Sequence, residues 1–366
     1  MLITPDPDPF TGIPAGSGIL LAFSGGIDSS AGAWLCARAG FRVFPVYLRM
    51  NPADPPEGPE RMRRTAEALG LSVTVLDCVD RFREEVMHLC CRIFESGRTP
   101  NPCVLCNPLF KFGFLREYAL KTGCAAMATG HYVRRNRGAE GRGPVLFRGA
   151  DPAKDQSYFL YGLSEEQLDF SCFPLGNMTK DSVRALVREL NFPNVQAKES
   201  QDVCFVPPGE QAGEYLHRFF HCPDRPGRFV DMTGLALGRH HGIHAFTPGQ
   251  RKGTGVALGR PAYVRSLDPD RGDIVLTDDS ANLMSRRFRV ERARFSPTLA
   301  DSQTFRADVQ IRYRGRPAPA EVTRIAPDAA LVCFDEPQRA ITRGQAAVFY
   351  DGIRQLGGGL ISETEF

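Results

Sequence analysis

Gly18-Ile19-Leu20-Leu21-Ala22-Phe23-Ser24-Gly25-Gly26-Ile27-Asp28-Ser29-Ser30 is the stretch on which the reading of this chain turns. Ile19 to Phe23 has the length and apolarity of a buried strand, and Ser29 to Ala39, closed by Gly40, suits a helix. Between them lies a loop of small residues. Its glycines allow close backbone approach, and successive N–H groups at a helix N-terminus form a cradle for an anion. The serines add hydroxyl donors, and Asp28 is placed to position Mg²⁺ or a phosphate-bound water. A Walker A loop would need Gly-x4-Gly-Lys-Ser/Thr, which the chain lacks, and Gly16-x-Gly18 precedes the strand instead of following it. A plain glycine turn with a Ser/Asp cap is the weaker reading in a strand–loop–helix setting. The site reads as phosphate-binding.

Outward from this loop, Phe41 to Leu48 and Ser72 to Asp77 read as strands, Glu60 to Leu69 as a helix, and Cys124 to Thr129 as a further strand ending at Gly130-His131-Tyr132. Strands alternating with helices at this spacing predict a doubly wound parallel sheet, with ligands beyond the carboxyl ends of its strands. Near Pro207 to Gly213 the pattern changes. A short helical stretch, Glu214 to Phe220, is followed by turn-rich sequence. From about Phe288 the segments Arg306 to Tyr313, Ala320 to Ile325, Ala330 to Phe334 and Gln345 to Tyr350 alternate as antiparallel strands do. The division expected is an irregular lead-in (1–17), an α/β catalytic domain (18–208), a small β-rich central domain (209–285) and a β-barrel-like end (286–366).

The chain has 366 residues, 42% of them hydrophobic and 24% charged, with a net charge of +3. That composition excludes intrinsic disorder, and no repeat is visible. Gly18 to Phe23 is far too short to span a bilayer and no charged region precedes a signal-like run, so a soluble, cytoplasmic protein is expected. Arginine carries the basic charge, 39 residues against 6 lysines, and arginine suits bidentate phosphate contact and stacking on bases. Between Arg286 and Arg343 stand 12 arginines, no lysine and 7 acidic residues. That excess fits phosphate contacts, and the alternative is a solvated face on a barrel.

Eleven cysteines, an odd number at irregular spacing, do not form a disulfide scaffold. Most are expected to be small buried hydrophobes, Cys36, Cys78 and Cys333 among them, with Cys90-Cys91 in core packing. Asn101-Pro102-Cys103-Val104-Leu105-Cys106-Asn107 differs: it places a Cys-x2-Cys in a loop before a helix expected over Leu109 to Leu120. Cys106 is therefore expected near a helix N-terminus, where a thiol is acidified. Ser200-Gln201-Asp202-Val203-Cys204-Phe205 sets another cysteine in a polar-flanked segment. His217 and His221 have i, i+4 spacing, but Arg218 stands where a zincin glutamate would be, so no zinc is expected there. His240, His241 and His244 are expected at the surface.

The glycine loop resembles the PP-loop of adenylating ATP pyrophosphatases, which cleave ATP to AMP and pyrophosphate and leave an adenylated oxygen for a nucleophile to displace. With the cysteine segments the resemblance narrows to the tRNA-specific 2-thiouridylase (MnmA/TrmU) family. It is carried by Ser24 to Ser30, Asn101 to Asn107 with Lys111-Phe112, Ala128 to Tyr132, Lys154 to Leu160, Ser200 to Phe205, Gly249 to Gly253 and Arg339 to Tyr350, in that order over residues 18–361. It implies 2-thiouridine formation at the wobble position of tRNAs for Lys, Glu and Gln. It further implies that Ala22, Phe23, Ser24, Gly25, Gly26, Ile27, Asp28, Ser29, Leu48 and Gly130 hold ATP with Mg²⁺. Asn101, Pro102 and Cys103 would meet the target base, and His131, Lys154, Asp155, Gln156, Arg312, Tyr313 and Gln345 the tRNA. In the family scheme the counterpart of Cys204 receives sulfur as a persulfide, from a cysteine desulfurase through relay proteins. That of Cys106 completes release, leaving a Cys106–Cys204 disulfide to be reduced.

Two departures stand out. Cys103 replaces the Asp that most of the family carries, so Cys103, Cys106 and Cys204 are alternatively ligands of a [4Fe-4S] cluster that delivers sulfide; zinc lacks a fourth ligand there. The adenine-side block is altered to Leu48-Arg49-Met50-Asn51. Two other functions remain to be weighed: another PP-loop adenylating ligase, which would not need Cys106 and Cys204, and a catalytically inactive tRNA-binding protein.

Overall fold

The computed structural model describes residues 3–52, 58–138, 143–192, 203–256, 259–299 and 303–365. Its first unit is built on strands β1 (Gly18–Ala22), β2 (Arg42–Arg49), β3 (Thr74–Asp77) and β4 (Ala126–Ala128), a hairpin β5 (Val133–Asn136) and β6 (Val145–Arg148), and a short β7 (Ser171–Cys172). The parallel sheet runs β3-β2-β1-β4-β7, as the alternation of strands and helices predicts. Leu20, Val46, Leu48 and Met127 feed a core on one face; Ile19, Leu21, Ala126, Ala128 and Cys172 feed one on the other. Continuous apolar strands require this cover on both faces. The helix Ile27–Arg38 starts two residues earlier than expected and its N-terminal end opens above the carboxyl end of β1.

The Asn101–Asn107 segment departs from expectation. Instead of a loop before Leu109, the chain is helical from Pro102, through Pro102–Cys106 and Asn107–Phe114 to Leu115–Lys121. The Asn101 side chain caps it by accepting from the Cys103 N–H at 3.1 Å, and Pro102 suits the first turn, where an N–H has no partner. Pro108 has no N–H to give, and Asn107–Phe114 widens to π geometry there.

A four-stranded central sheet follows: β8 (Gly227–Val230), β9 (Ala236–His240), β10 (Tyr263–Asp268) and β11 (Asp273–Thr277), in the order β10-β11-β8-β9. His240 and His244, expected at the surface, are buried here; only His241 is exposed. The turn-rich sequence hid this, because His240 folds back against the aromatic rings of Phe229 and Phe246 and His244 stacks on His217. Cys36 and Cys78 are buried as expected, whereas Cys333 is half-buried.

The last unit is a closed antiparallel barrel of β12 (Met284–Phe295), β13 (Thr304–Gln310), β14 (Ala318–Ala326), β15 (Ala329–Arg339), β16 (Ala346–Asp351) and β17 (Arg354–Glu365), with β17 pairing back to β12. Phe288, Val290, Val309, Val322, Val332 and Phe349 fill it. Closure leaves no free edge within the barrel. The β5–β6 hairpin, for which the sequence carried no strand expectation, extends this sheet through Arg354 against Phe147, and so joins the barrel to the first unit. The lead-in is irregular but anchored: Asp6 bonds the backbone of Arg135 and Arg137, and Phe10 packs on Phe41.

The barrel also holds the segment leading to Asn101. The Thr99 N–H donates to Arg343 O at 2.8 Å, and Gln345 Nε2 to Thr99 O at 2.9 Å. Gly344 sits between them at φ +90°, where a Cβ would lie 2.9 Å from Thr99 O. Gly344→Ala is therefore expected to cost about 1–3 kcal/mol through left-handed strain and crowding. Urea unfolding of the full chain checks this; an unchanged midpoint would show that the contact is soft.

Candidate active site

The loop after β1 is tied up by its own hydroxyls. Ser24 and Ser29 Oγ lie 3.2 Å apart, Ser29 Oγ donates to Gly26 O at 3.0 Å, and the Ser24 N–H donates to Ser29 Oγ. Gly25 has φ +68°, and no side chain caps the helix at Gly26. The first-turn N–H groups and the positive end of the helix dipole therefore face the space above the sheet, the setting an anionic phosphate requires. Gly130 lies against this turn, where a Cβ would come within 3.3 Å of the Asp28 and Ser29 backbone. Phe23 and Leu48 are buried in the cores flanking the sheet, Ala22 is partly buried, and Ile27 lines the space.

Asp28 does not point into open solvent. Lys180 Nζ donates to both of its oxygens, at 2.7 and 2.8 Å, and the Tyr132 hydroxyl donates at 2.6 Å. Lys180 is buried at the start of the helix Lys180–Glu189. A cation at a helix N-terminus opposes the dipole, so its position there is a signal that an anionic partner is needed. Sequence reading missed Lys180; the misplaced charge after the Thr179 cap was the available clue.

The cysteines are sorted by exposure. Cys106 lies one turn into its helix, inside the apolar core with Phe82, Phe110 and Phe205, and burial pushes its thiol up to about 12, against the lowering influence of Lys111. The expected acidification at a helix N-terminus is thus overturned: the N-terminus is at Pro102, and desolvation dominates. Cys103 is half-buried at the mouth of the same helix, its thiol also raised by burial. Cys204 is exposed, its carbonyl held by Asn51 Nδ2 at 3.0 Å, while the next residue, Phe205, is buried edge-on to Phe82. Ser200, Gln201 and Asp202 lie outside the described residues. No disulfide joins the eleven cysteines, Cys106 and Cys204 included.

Opposite the loop, Asp155 is buried and accepts from the Gly149 and Ser157 N–H groups and from Arg148 Nη1 at 2.8 Å. Gln156 exchanges hydrogen bonds with the Tyr132 backbone. Tyr313 packs on Phe159 with ring centroids 4.2 Å apart. One cleft of about 1790 Å³ is lined by Ser24 to Asp28, Asn101 to Cys103, Lys154 to Gln156, Lys180, Val203 and the barrel's Gln310 and Tyr313 to Pro317. Arg61, Arg134, Arg148, Arg314 and Arg316 add positive charge to its walls. Ten of the expected residues stand outside that lining: Ala22, Phe23, Ser29, Leu48, Gly130, Cys204, and four whose side chains are committed elsewhere. His131 is buried, bonded to Thr129 at 2.8 Å and held neutral by burial and Lys111. Arg312 is exposed with Nη2 on Arg339 O, Gln345 is spent on the Thr99–Pro100 backbone, and Cys106 lies beneath Cys103 in the core.

The donor sets for metals do not fit as they stand. The cleft's acids are Asp28 and Asp155, and both are engaged by cations and hydrogen-bond donors, so neither presents an open carboxylate to Mg²⁺. For an iron–sulfur cluster the three thiols would have to share one space as thiolates. Instead Cys106 is buried and protonated and Cys204 is exposed.

Comparison with known proteins follows the same division of the chain. Family models described as a tRNA methyl transferase HUP domain, a tRNA methyl transferase PRC-barrel domain and an aminomethyltransferase beta-barrel domain match residues 17–208, 214–278 and 285–361. Proteins named tRNA-specific 2-thiouridylase MnmA match almost end to end. That of Desulforudis audaxviator is 41% identical, covering 94% of this chain and 98% of its own. That of Syntrophotalea carbinolica is 38% identical over 94% and 98%, and that of Carboxydothermus hydrogenoformans 39% over 94% and 97%.

Two measurements test the geometry. Lys180→Met should destabilise the chain by about 2–3 kcal/mol, below the cost for a fully buried pair because Asp28 retains partial solvent exposure. A double-mutant cycle with Asp28→Asn should show coupling above about 0.5 kcal/mol; additivity would mean that the pair is not a unit. Iodoacetamide labelling followed by mass spectrometry should modify Cys204 well before Cys106. Since burial raises its pKa, Cys106 should label about tenfold faster per pH unit between pH 7 and 10, with no plateau.

Proposed function

The chain belongs to the tRNA-specific 2-thiouridylase family, and from that premise we propose that it converts the wobble uridine (position 34) of tRNAs for Lys, Glu and Gln to 2-thiouridine. It is an ATP-dependent tRNA-uridine 2-sulfurtransferase. The observation that carries the finer reading is the shared cleft: the anion-binding loop, the half-buried Cys103 and the Arg/Tyr edge of the barrel line one cavity. A loop base is single-stranded and cheap to extrude into such a cavity, where Tyr313 and Phe159 offer aromatic faces.

The chemistry follows from leaving-group ability. The uridine O2 attacks the α-phosphorus of ATP, and pyrophosphate departs beside the Ser24–Ser29 turn, whose N–H groups and the ammonium of Lys180 stabilise its charge. A persulfide on Cys204, loaded by a cysteine desulfurase relay, attacks C2 through its terminal sulfur. The Cys106 thiolate then attacks Cys204 Sγ, the S–S bond breaks, its electron pair stays with the sulfur on C2, and AMP leaves. The product is the thiocarbonyl and a Cys106–Cys204 disulfide, which a dithiol reductant returns to two thiols. The exposure of Cys204 suits loading by a partner protein, and the burial of Cys106 suits a thiol used once per cycle after the site has rearranged. Asn101 and Pro102, fixed by the cap, and Cys103 stand where the base would enter.

Cys106→Ser and Cys204→Ser should each reduce thiouridine formation by at least about 100-fold while leaving tRNA-dependent pyrophosphate release within a few-fold of wild type. Asp28→Asn should abolish pyrophosphate release. Mass spectrometry of digested tRNA locates the sulfur. Wild-type thiolation by Cys204→Ser, or sulfur at a position other than 34, would overturn the assignment.

A further inference from the structure

Away from the cleft, where the helix His88–Glu95 meets Ala212–Phe219 and the central sheet, six ligand-type side chains gather. Cys91 Sγ lies 3.5 Å from Cys222 Sγ, and Cys91, Glu95 and Cys222 present donor atoms within 4.8 Å of one another. Glu95, His217 and His244 form a second such triplet sharing the same carboxylate. His217 Nδ1 is 2.8 Å from Glu95 Oε1, and its Nε2 is 3.0 Å from Asp224 Oδ1. Sequence reading had dispersed these residues: Cys91 to core packing, where with Cys90 it indeed lies, His244 to the surface, and His217 to a failed pairing with His221.

We propose that Cys91, Cys222 and Glu95, whose donor atoms lie within 4.8 Å of one another, bind a zinc ion that fastens the central domain to the catalytic domain, and that His217, which meets this set through Glu95 at 2.8 Å, turns in as the fourth ligand when the metal binds. Two sulfurs 3.5 Å apart are close to the edge of a tetrahedron around zinc at ~2.3 Å Zn–S distances. The donor set, two thiolates with an imidazole and a carboxylate, suits a borderline-soft cation that prefers four ligands. Asp224 stands on the far nitrogen of His217, where a ligating histidine characteristically gives its remaining N–H to a carboxylate. Cys91 and Glu95 are four apart on one helix, hence on one face. Cys222 is brought back beside His217 by a helix-ending motif: the Cys222 N–H donates to His217 O and the His221 N–H to Arg218 O. His221 holds that turn at φ +50°, a conformation usually left to glycine, so the chain accepts strain at the point that delivers Cys222.

Binding replaces two S–H bonds by two Zn–S bonds and releases two protons to solvent. His244, stacked on His217 with ring centroids 3.8 Å apart, closes the site from the central domain, and the Gly213 backbone packs against its carbonyl.

The test uses the full chain. Purified protein is expected to hold about one zinc per molecule, and cobalt(II) exchange to give the intense d–d and thiolate charge-transfer bands of a tetrahedral two-thiolate site. Cys91→Ser and Cys222→Ser should lose both signatures, whereas Cys103→Ser, Cys106→Ser and Cys204→Ser should keep them. Circular dichroism shows whether each variant is folded, and Glu95→Gln, which keeps size, should weaken zinc retention against a chelator at least tenfold. Absence of zinc after reconstitution under reducing conditions, zinc that survives loss of Cys91 and Cys222, or zinc lost with Cys103 would each overturn the proposal. So would a Cys91–Cys222 disulfide in the protein as isolated under reducing conditions.

Discussion

Arg148 is the residue on which the arrangement of the cleft depends. At the end of the β5–β6 hairpin it donates to Asp155 at 2.8 Å and to Gln310 of the barrel at 3.0 Å, and its guanidinium lies 3.5 Å from the centre of the Tyr350 ring. One side chain thus binds the hairpin, the Lys154–Ser157 loop and two barrel strands. A guanidinium can do this because its donors lie in a fixed plane and its face stacks on an aromatic ring. Asp155 is almost fully buried. Removing either partner leaves a buried charge uncompensated, a cost of about 3–5 kcal/mol, so the junction resists change from both sides. The barrel is thereby held facing the anion-binding loop.

A second tie works from the other direction. Gln345 and Arg343 of the barrel bond the backbone of Thr99, immediately before the capped helix that carries Cys103 and Cys106. The two ties flank the cleft. The barrel therefore does more than add a basic surface: it sets where the cysteine-bearing helix begins. Each unit has a core of its own, a further cluster of Val104, Tyr158 and Tyr161 with Ala346, Val348 and Tyr350 packs the first unit onto the barrel, and the cleft lies where they meet. That design suits a substrate much larger than its reacting base, since binding energy from distant phosphates is spent on placing one atom.

Sequence reading found what local pattern encodes. A strand, a Ser-Gly-Gly loop and a helix announce themselves by apolar run, glycine and cap, and barrel strands by alternation, so the fold class and the loop from Ser24 to Ser29 were legible. Contacts between residues far apart in the chain were not. Lys180 reaches Asp28 across 152 positions, Arg148 reaches Gln310 across 162, and Cys91 meets Cys222 across 131. Apart from the place of Lys180 directly after the Thr179 cap, nothing in the neighbourhood of Lys180 or Arg148 distinguishes it from a surface cation. Burial misled the reading too. His240 and His244 sit in turn-rich sequence that suggests solvent, and Cys106 was read from its loop instead of from the helix that Asn101 and Pro102 start early.

The protonation of Cys106 bears on the order of events in the proposed cycle. A thiol held near pKa 12 inside an aromatic core is a poor nucleophile at neutral pH, and it is also protected from oxidation and alkylation. Among the described residues Lys111 is the one cation lowering it, and the same charge lowers Cys103 and disfavours protonation of His131. A thiol so placed reacts only after its surroundings change. The structural element positioned to change is the helix start at Pro102, since it is held by one cap and by the barrel's bonds to Thr99, with π geometry rather than regular helix following it. π turns inside helices recur at functional sites. In the proposed cycle, a base bound at Asn101–Cys103 would act on that helix start, and the thiol of Cys106 would be uncovered only with the nucleotide already in place.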